Sequence, residues 1–526
     1  MTKTKFQVLT FVSSILALSL TFPSVAAEIS TPLAWRSSNE PSVSEKEIQV
    51  YFGDQVYVPD SYINWSFDSV PTELGSKMIS QQPFIYYAMP PCSVKAYDGC
   101  IESMQYRMND GAWEDAVLST RELPSKVGQS NPGARNSSGI LKVDNFIEAG
   151  PDMAKHKPSA GRASYWTLKN APHGGGNEYL LRANIAGPLA ADGNGRVQRF
   201  LEMGLYPVNG LIEYQFPQDI EIKIRLKLGV IAKDLWGWFD GRVINPNVVL
   251  DTSSSEGIVE IAGKPARIPI GATPKRNTSD FQPSQLTAYT CDGRTEAICP
   301  TMKGFSLFST GGNSEVENFP RFENLLGTVS TVAVSTAWWI KTTRWQTVAT
   351  VTGCPANQSG FTGIITTNAT MYKTEAPIWD SNDKTFNFQV ASPHNDQQGQ
   401  PNSGYYSLIL PKSLAECRWG AGVANAKAVV SVTSENGMSQ VATSTFKVLN
   451  DLLIFNISGF TYSMPKIKIG LESASKVTVA PSASPTPSPN KPVVKSPQTI
   501  KCIKGKIIKK ITSPNPKCPS GYKISK

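Results

Sequence analysis

Alternation of apolar and polar residues is the main structural pattern of this chain. Residues 220–228 alternate isoleucine or leucine with charged residues over nine positions, which is the period of a half-buried β-strand. Turn-forming clusters such as 191–195 and 395–404 separate further short runs rich in Val, Ile, Thr and aromatic residues. These runs are 46–52, 243–250, 257–261, 328–340, 385–390, 405–410, 428–432, 452–457 and 466–471. The pattern predicts an all-β protein built from sandwiches.

The predicted strands occupy more chain than one ordinary domain needs, by the guide of about 150 residues per domain. We therefore expect two or three β-sandwich-like domains, with boundaries at 28–215, 216–280 and 281–475. Residues 479–497 are rich in Pro and Ser, a composition that forms an extended spacer and no core. The sequence thus predicts a Pro/Ser-rich linker at 476–497 and a small, basic, disulfide-closed module at 498–526.

The first residues have the three parts of a secretory signal peptide. Lys3 and Lys5 make the start positive, residues 8–22 are an apolar stretch of fifteen residues, and small residues precede Ala27. A helix that spans a bilayer needs about 20 residues, so a retained anchor helix is the weaker alternative. We expect residues 1–27 to be cleaved as a signal peptide. The mature protein would then be secreted or associated with the cell surface, without a transmembrane segment.

The formal net charge of +9 is distributed unevenly. Residues 477–526 contain ten Lys and no Arg, Asp or Glu, and the signal peptide adds two Lys, so residues 28–476 carry a net charge of −3. A nucleic-acid-binding domain would be basic itself, so we expect no nucleic-acid partner. The tail instead predicts attachment to an anionic envelope polymer, with a merely solubilising role as the alternative. The residues predicted to bind it are Lys501, Lys504, Lys506, Lys509, Lys510, Lys517, Lys523 and Lys526.

Eight cysteines in an exported chain favour disulfides over metal ligands. Two pairs share one spacing, with seven residues between the cysteines and an Asp-Gly turn inside each span. The pair beyond the linker should find each other, which leaves one further pair. The predicted disulfides join Cys92 to Cys100, Cys291 to Cys299, Cys354 to Cys417 and Cys502 to Cys518. No CxxC motif or Cys/His cluster supports zinc, and we expect neither a metal nor another cofactor.

The C-terminal module has a specific spacing of Cys, Lys, Pro and Gly. Residues 502–510 follow the pattern CxKGKxxKK and residues 516–523 the pattern PKCPxGYK. This combination resembles a module of uncharacterised secreted surface proteins of actinobacteria. Residues 236–242 (WGWFDGR), 389–394 (QVASPH) and 404–420 are similar to the same group. The resemblance implies export and a surface location, and it supplies no catalytic residue.

Four polar segments are candidates for catalysis or ligand binding. Residues 173–176 (HGGG) resemble the oxyanion-hole segment of lipases, but the chain has no GxSxG motif to supply a nucleophile, so a glycine-rich turn is favoured. His394 and Asp396 have the spacing of a triad's orienting half, although their loop is polar. Residues 192–195 and 380–383 resemble the start of a calcium loop without the later ligands. We therefore identify no catalytic residue.

Paired aromatic residues are the remaining candidates. Trp236 and Trp238 are two residues apart and would share one face of a strand. An exposed pair would stack on a sugar ring, but burial in a sandwich core is the favoured interpretation.

Together these features favour an exported, non-enzymatic cell-surface protein. It would be a display, adhesion or envelope component that a basic tail holds near the envelope, with a polysaccharide or a protein as the ligand of its body. The alternative is a secreted hydrolase or carbohydrate-binding protein that acts on extracellular polymers.

Overall fold

A computed structural model of the chain describes most of residues 47–472 and part of the C-terminal module. The described residues are 47–53, 84–93, 99–120, 146–148, 159–161, 164–188, 198–209, 212–282, 284–285, 304–308, 315–343, 354, 361–373, 376–434, 437–462, 464–472, 498–504, 507–513, 518 and 522–524. They are mostly β, which confirms the predicted fold class. Residues 1–474 and 475–526 form two compact units. None of the helices in the described ranges is long and apolar enough to cross a membrane.

The first unit contains 27 described strands and two α-helices. The strands are β1 (Glu47–Phe52), β2 (Phe84–Ala88), β3 (Cys100–Met108), β4 (Glu114–Asp115), β5 (Val117–Leu118), β6 (Phe146–Glu148), β7 (Ser159–Gly161), β8 (Ser164–Thr167), β9 (Glu178–Pro188), β10 (Phe200–Asn209), β11 (Ile212–Glu213), β12 (Ile220–Lys227), β13 (Gly237–Gly241), β14 (Val243–Asp251), β15 (Ile258–Ala272), β16 (Arg276–Asn277), β17 (Gly304–Phe308), β18 (Ser330–Thr342), β19 (Phe361–Thr367), β20 (Met371–Tyr372), β21 (Ile378–Asp380), β22 (Thr385–Ala391), β23 (Ser403–Pro411), β24 (Lys427–Thr433), β25 (Thr443–Leu449), β26 (Leu452–Thr461) and β27 (Lys466–Glu472). The helices are α1 (Glu315–Leu326) and α2 (Lys412–Trp419), and 3-10 turns lie at Gly229–Asp234, Thr278–Asp280 and Val423–Asn425.

The strongest alternating run of the sequence forms β12, between β3 and β15. Its apolar residues are buried and its charged residues are half-buried, in strict alternation. The polar face is covered by ion pairs: Arg225 Nε lies 2.6 Å from Glu102 Oε2, and Nη1 lies 3.2 Å from Glu260 Oε2. Each of the other predicted runs also overlaps a strand, so the local pattern located these elements correctly.

A long mixed sheet, with both antiparallel and parallel strand pairs, separates two hydrophobic cores. It runs through β2, β9, β10, β18, β13, β19, β23, β26 and β25. Ile364 belongs to a core shared with β3, β12, β14 and β15, whereas its neighbour Ile365 belongs to a core shared with β22, β24 and β27. Leu408 and Ile409 divide between the cores in the same way. Strands β19, β23 and β26 are therefore covered on both faces, and most of their residues are buried.

The strand ladders cross the domain boundaries that we placed at 215/216 and 280/281. Strand β12 pairs with β3, β10 pairs with β18, and β1 pairs in parallel with β17. The sheets of residues 47–472 are thus shared between the three predicted segments, within one compact unit.

Two of the four predicted disulfides are present. Cys92 is bonded to Cys100 at the start of β3, and Cys354 is bonded to Cys417 in α2. Cys518 is also disulfide-bonded, and no described cysteine is free. Its pairing with Cys502 stays a prediction, and the predicted bond between Cys291 and Cys299 lies outside the described residues.

The second unit contains a three-stranded antiparallel sheet. Its strands are β28 (Gln498–Lys504), β29 (Ile507–Ser513) and β30 (Lys523–Ile524), in the spatial order β29, β28, β30.

Candidate functional site

The register of the C-terminal sheet gathers three of the predicted envelope-binding lysines. Lys501 on β28 lies directly opposite Lys510 on β29, and Ile503 lies opposite Lys523 on β30. Opposed residues share a face of a sheet, as do residues two apart along a strand. Lys501, Lys510 and Lys523 therefore occupy one face, one residue on each strand. We call these three residues the lysine row.

The opposite face of this sheet has a different composition. It carries Ile500 opposite Ile511, and Cys502 opposite Ile524. Lys501 and Lys523, whose exposure is described, are both exposed. The alternation of the strands thus separates a face with three lysines and the opposed pair Ile503 and Ile508 from a more apolar face that carries four isoleucines, a cysteine and two lysines.

The remaining lysines of the module do not join the lysine row. Lys504 lies opposite Ile507 and Lys509 lies opposite Cys502, so both occupy the more apolar face. The other three predicted lysines fall outside the described residues; they are Lys506, Lys517 and Lys526.

The electrostatic repulsion within the lysine row favours the binding of anions. Directly opposed residues have Cβ atoms about 4.5 to 5.5 Å apart, diagonal neighbours about 7 to 8 Å, and like charges directly opposite each other are destabilising. Residues 477–526 contain no Asp or Glu that would neutralise the row. A bound anion would relieve the repulsion, because it brings the missing opposite charge. The row offers point charges and no acid–base pair, so it suits binding and not catalysis.

The prediction that Trp236 and Trp238 form a ligand-stacking pair is wrong. Strand β13 begins only at Gly237, whose φ of +85° turns the chain between the two tryptophans. Trp238 is 1% exposed, and its ring centroid lies 6.3 Å from that of Phe386 in the core. The sheet of β22, β24 and β27 packs against this face of the long sheet and buries Trp238.

Two buried charged residues of the same segment were not anticipated from the sequence. Arg242 is 0% exposed, and its Nη1 donates to the carbonyl oxygens of Thr367 at 2.8 Å and Ala369 at 2.7 Å. Its guanidinium lies over the ring of Tyr372, whose hydroxyl donates to Asp240 Oδ2 at 2.5 Å. These contacts connect the end of β13 with the residues between β19 and β20. Asp240 and Arg242 therefore have a structural role.

Residues 173–176 form a closed turn, as the glycine-rich-turn interpretation predicts. The amide of His173 donates to the carbonyl of Gly176 and the reverse bond closes the turn, at 2.6 and 3.0 Å. The amide of Gly175 donates to Nδ1 of His173, and Nε2 bonds to the carbonyl of Glu178 at 2.8 Å. Burial lowers the pKa of His173 from its ordinary value, opposed by the bond to Glu178. These amides are engaged within the turn and do not converge on an oxyanion.

The segment that contains His394 and Asp396 also uses its side chains locally. Nδ1 of His394 contacts the carbonyl of Tyr462, while Oδ1 of Asp396 accepts the amides of Gln398 and Gln400 at 2.9 and 2.8 Å. The pair therefore has separate partners and does not form half of a triad.

The second calcium-like segment, 380–383, is part of the hairpin between β21 and β22. There Asp383 Oδ2 binds Lys468 Nζ at 2.6 Å. Across the residues that the structure describes, no group of three or more His, Cys, Asp or Glu side chains is arranged for a metal ion. The first segment, 192–195, lies outside the described residues.

One polar and aromatic patch lies on the long sheet. The register places Glu202 opposite Lys341, and Gly204 opposite Trp339. Arg182 Nη2 lies 2.9 Å from Glu202 Oε2, and Lys341 Nζ lies 4.6 Å from the centre of the Trp339 ring. Glycoside hydrolysis requires two carboxyl groups across the substrate. Here Glu202 is paired with a guanidinium, and Asp240, which the register places opposite Lys341, is fully buried and accepts a hydrogen bond from the Tyr372 hydroxyl. The patch thus gives no support to the hydrolase alternative.

No protein-family model matches the chain, and a search of curated proteins found no match either.

Proposed function

We propose that this is an exported, non-enzymatic cell-surface protein whose C-terminal unit holds it near the envelope by binding an anionic polymer. The observation that carries the proposal is the lysine row, three basic residues on one face of a small sheet. The body would serve in display, adhesion or as an envelope component.

Two further features support this function. Disulfides persist in oxidising compartments outside the cytoplasm, and the body contains two of them. The described polar residues of the candidate catalytic segments bind backbone groups or each other.

The C-terminal unit forms a compact body of its own, so it can be removed without cutting a sheet of the first unit. We would express the chain with and without residues 498–526 and wash the cells at about 0.1 M and about 1 M salt. The Debye length falls from about 10 Å to about 3 Å over this range. The full chain should come off at high salt, and the truncated chain should already be in the medium.

Retention of the truncated chain on the cells would contradict the proposal and move the attachment site to the body. Resistance of the full chain to high salt would contradict an electrostatic attachment. A truncation that removes only part of the spacer, residues 481–489, keeps every Lys of the tail and serves as the matched control. It should be released like the full chain.

A further inference from the structure

We propose that a row of uncharged polar residues at the β25 end of the long sheet binds a neutral polysaccharide. This inference extends the proposed function, because it names a ligand for the body and leaves the attachment to the tail.

The register of four neighbouring strands aligns these residues. Thr366 on β19 lies opposite Ser407 on β23. Ser407 lies opposite Asn456 on β26, and Asn456 lies opposite Thr445 on β25. Opposed residues share a face of a sheet, so the four side chains form one line across the strands. We call these four residues the polar row.

The polar row runs from the interior to the solvent. Thr366 and Ser407 are 1% and 0% exposed, Asn456 is half-buried and Thr445 is exposed. Among the described strands, β25 pairs only with β26. A ligand can therefore approach the row from the β25 side and meet Thr445 and Asn456 first.

A chain of hydrogen bonds orients the amide of Asn456. The backbone amide of Asn245 donates to the Tyr405 hydroxyl at 2.8 Å, and this hydroxyl donates to Oδ1 of Asn456 at 3.0 Å. Because Oδ1 is held by Tyr405, Nδ2 points away from that hydroxyl. Nδ2 donates to no other described residue, so it supplies two donors to a ligand.

The buried end of the row has unused hydrogen-bonding capacity. Burial raises the pKa of Tyr405, and the hydroxyls of Ser407 and Thr366 lie close enough to oppose this effect. Neither hydroxyl meets hydrogen-bond geometry with a described group, although buried polar groups are nearly always paired. Since Ser407 lies directly opposite Asn456, a ligand hydroxyl that enters beside the amide would give Ser407 a partner.

The backbone of β14 is irregular where it contacts Tyr405. Its register with β15 shifts between Ile244 and Asn247, and Asn245 has a φ of +50° in the left-handed region. Bulges of this kind re-aim groups and are frequent beside active sites. Here the bulge aims the Asn245 amide at Tyr405 and leaves the Asn245 and Asn247 side chains exposed next to the row.

The composition of the accessible face favours a neutral, hydroxyl-rich ligand. Thr443 and Ser458 form a second opposed pair, two residues from Thr445 and Asn456 on the same face. Lys447 is the only charged residue of β25 and β26. A polyanion requires several cations, and a protein partner is usually held by aromatic or arginine anchors. Amides and hydroxyls instead match sugar hydroxyls, which both donate and accept.

The test uses the exported protein in affinity electrophoresis, in gels that contain dextran, mannan, galactan or arabinan. At least one of these neutral polysaccharides should retard the unchanged protein. Asn456→Ala should weaken that binding by about tenfold or more, because it removes the oriented donors. Thermal unfolding checks that the variant retains its fold.

A matched pair of variants on β25 tests the face. Thr445→Val removes a hydroxyl from the face of the polar row, and Ser444→Ala removes one from the opposite face; both residues are exposed. Thr445→Val should weaken binding by about fivefold, whereas Ser444→Ala should stay within about twofold of the unchanged protein. Because Thr445 is exposed, this comparison holds even if Asn456→Ala fails to fold.

Three results would overturn the inference. The first is a lack of retardation by all of the polysaccharides. The second is an equal loss in Thr445→Val and Ser444→Ala. The third is a loss in Lys447→Gln that grows at low salt, because it would indicate an anionic ligand. Binding that is unchanged in Lys447→Gln and independent of salt supports a neutral one.

The gel assay and the cell wash test different parts of the protein. The chain without residues 498–526 should be retarded like the full chain. If it is retarded but also stays on cells, the tail anchor fails and this inference stands. If the tail anchors the protein but no polysaccharide retards it, only this inference fails.

Discussion

Lys501 and Lys510 occupy directly opposed positions on neighbouring strands of the C-terminal sheet. Like charges in such positions destabilise a sheet, whereas opposite charges contribute about 0.2 to 1 kcal/mol. The positions that we assign to anion binding are therefore positions where the sheet itself would be more stable with a different residue. The chain retains two lysines there at a cost in local stability.

Exchanging one of these lysines for an acidic residue should separate stability from binding. In Lys510→Glu the new carboxylate faces Lys501, so amide hydrogen exchange in β28 should slow by a factor that corresponds to about 0.5 kcal/mol. Retention of the protein on cells at about 0.1 M salt should weaken at the same time. The matched control is Lys509→Glu, which makes the same charge change opposite Cys502. Faster exchange in Lys510→Glu than in the control would argue against the opposed register.

Gly363 is required because the ring of Trp238, on the neighbouring strand of the same sheet, packs directly against it. A Cβ at this position would overlap the ring of Trp238 and would lie 2.7 Å from the carbonyl oxygen of Ile409. Overpacking of a core costs about 1 to 3 kcal/mol, so Gly363→Ala should lower the free energy of unfolding by about that amount in urea. Gly470→Ala, where the nearest atom would be the Thr385 methyl at 3.3 Å, is the control. A loss no larger than that of the control would contradict this packing.

His173 should make stability depend on pH. Because burial lowers its pKa in the folded state, the unfolded chain binds the proton more readily. The stabilisation is present above the unfolded pKa of about 6.5 and is lost as the pH falls through the lower folded value. In urea unfolding from pH 7.5 to 5, His173→Gln should remove part of this slope, which for one proton is at most about 1.4 kcal/mol per pH unit. A pH dependence that persists fully in His173→Gln would show that another group is responsible.

The two described disulfides should stabilise the protein to different extents. The loop-entropy relation gives about 4 kcal/mol for Cys354 with Cys417, which are 63 residues apart, and about 2.5 kcal/mol for Cys92 with Cys100, which are 8 apart. The Cys354→Ser/Cys417→Ser variant should therefore unfold at a lower urea concentration than the Cys92→Ser/Cys100→Ser variant. The reverse order would mean that strain or residual structure outweighs loop length.

Non-reducing peptide mapping of the exported protein tests the other pairs. It should recover Cys291 bonded to Cys299, and Cys502 bonded to Cys518. A bridge between the two short pairs, for instance from Cys92 to Cys291, would overturn the local-pairing argument.

The position of the strands was predictable from the sequence because strand formation follows local alternation. Residues 220–228 are the clearest example, since each isoleucine of the run became buried in β12. The two long-separated Cys of the body were also paired correctly, but by elimination, after the shorter loops had been assigned.

The domain organisation of residues 28–475 was not predictable from the sequence, because it depends on strand pairing between distant segments. Strand β12 joins β3 across more than a hundred residues, and β10 joins β18 across a similar distance. A boundary drawn from composition cannot detect such ladders. The burial of Trp238 is a further example, because it depends on a second sheet whose first strand lies about 150 residues later in the chain.

The C-terminal module shows the same limit at small scale. Composition alone determined that the tail is basic, and alternation determined that Lys501 and Lys504 lie on different faces of their strand. Only the register between β28, β29 and β30 decided that Lys510 and Lys523 join Lys501. A shift of one residue in that register would have moved a partner lysine to the more apolar face, because side chains alternate with a period of two.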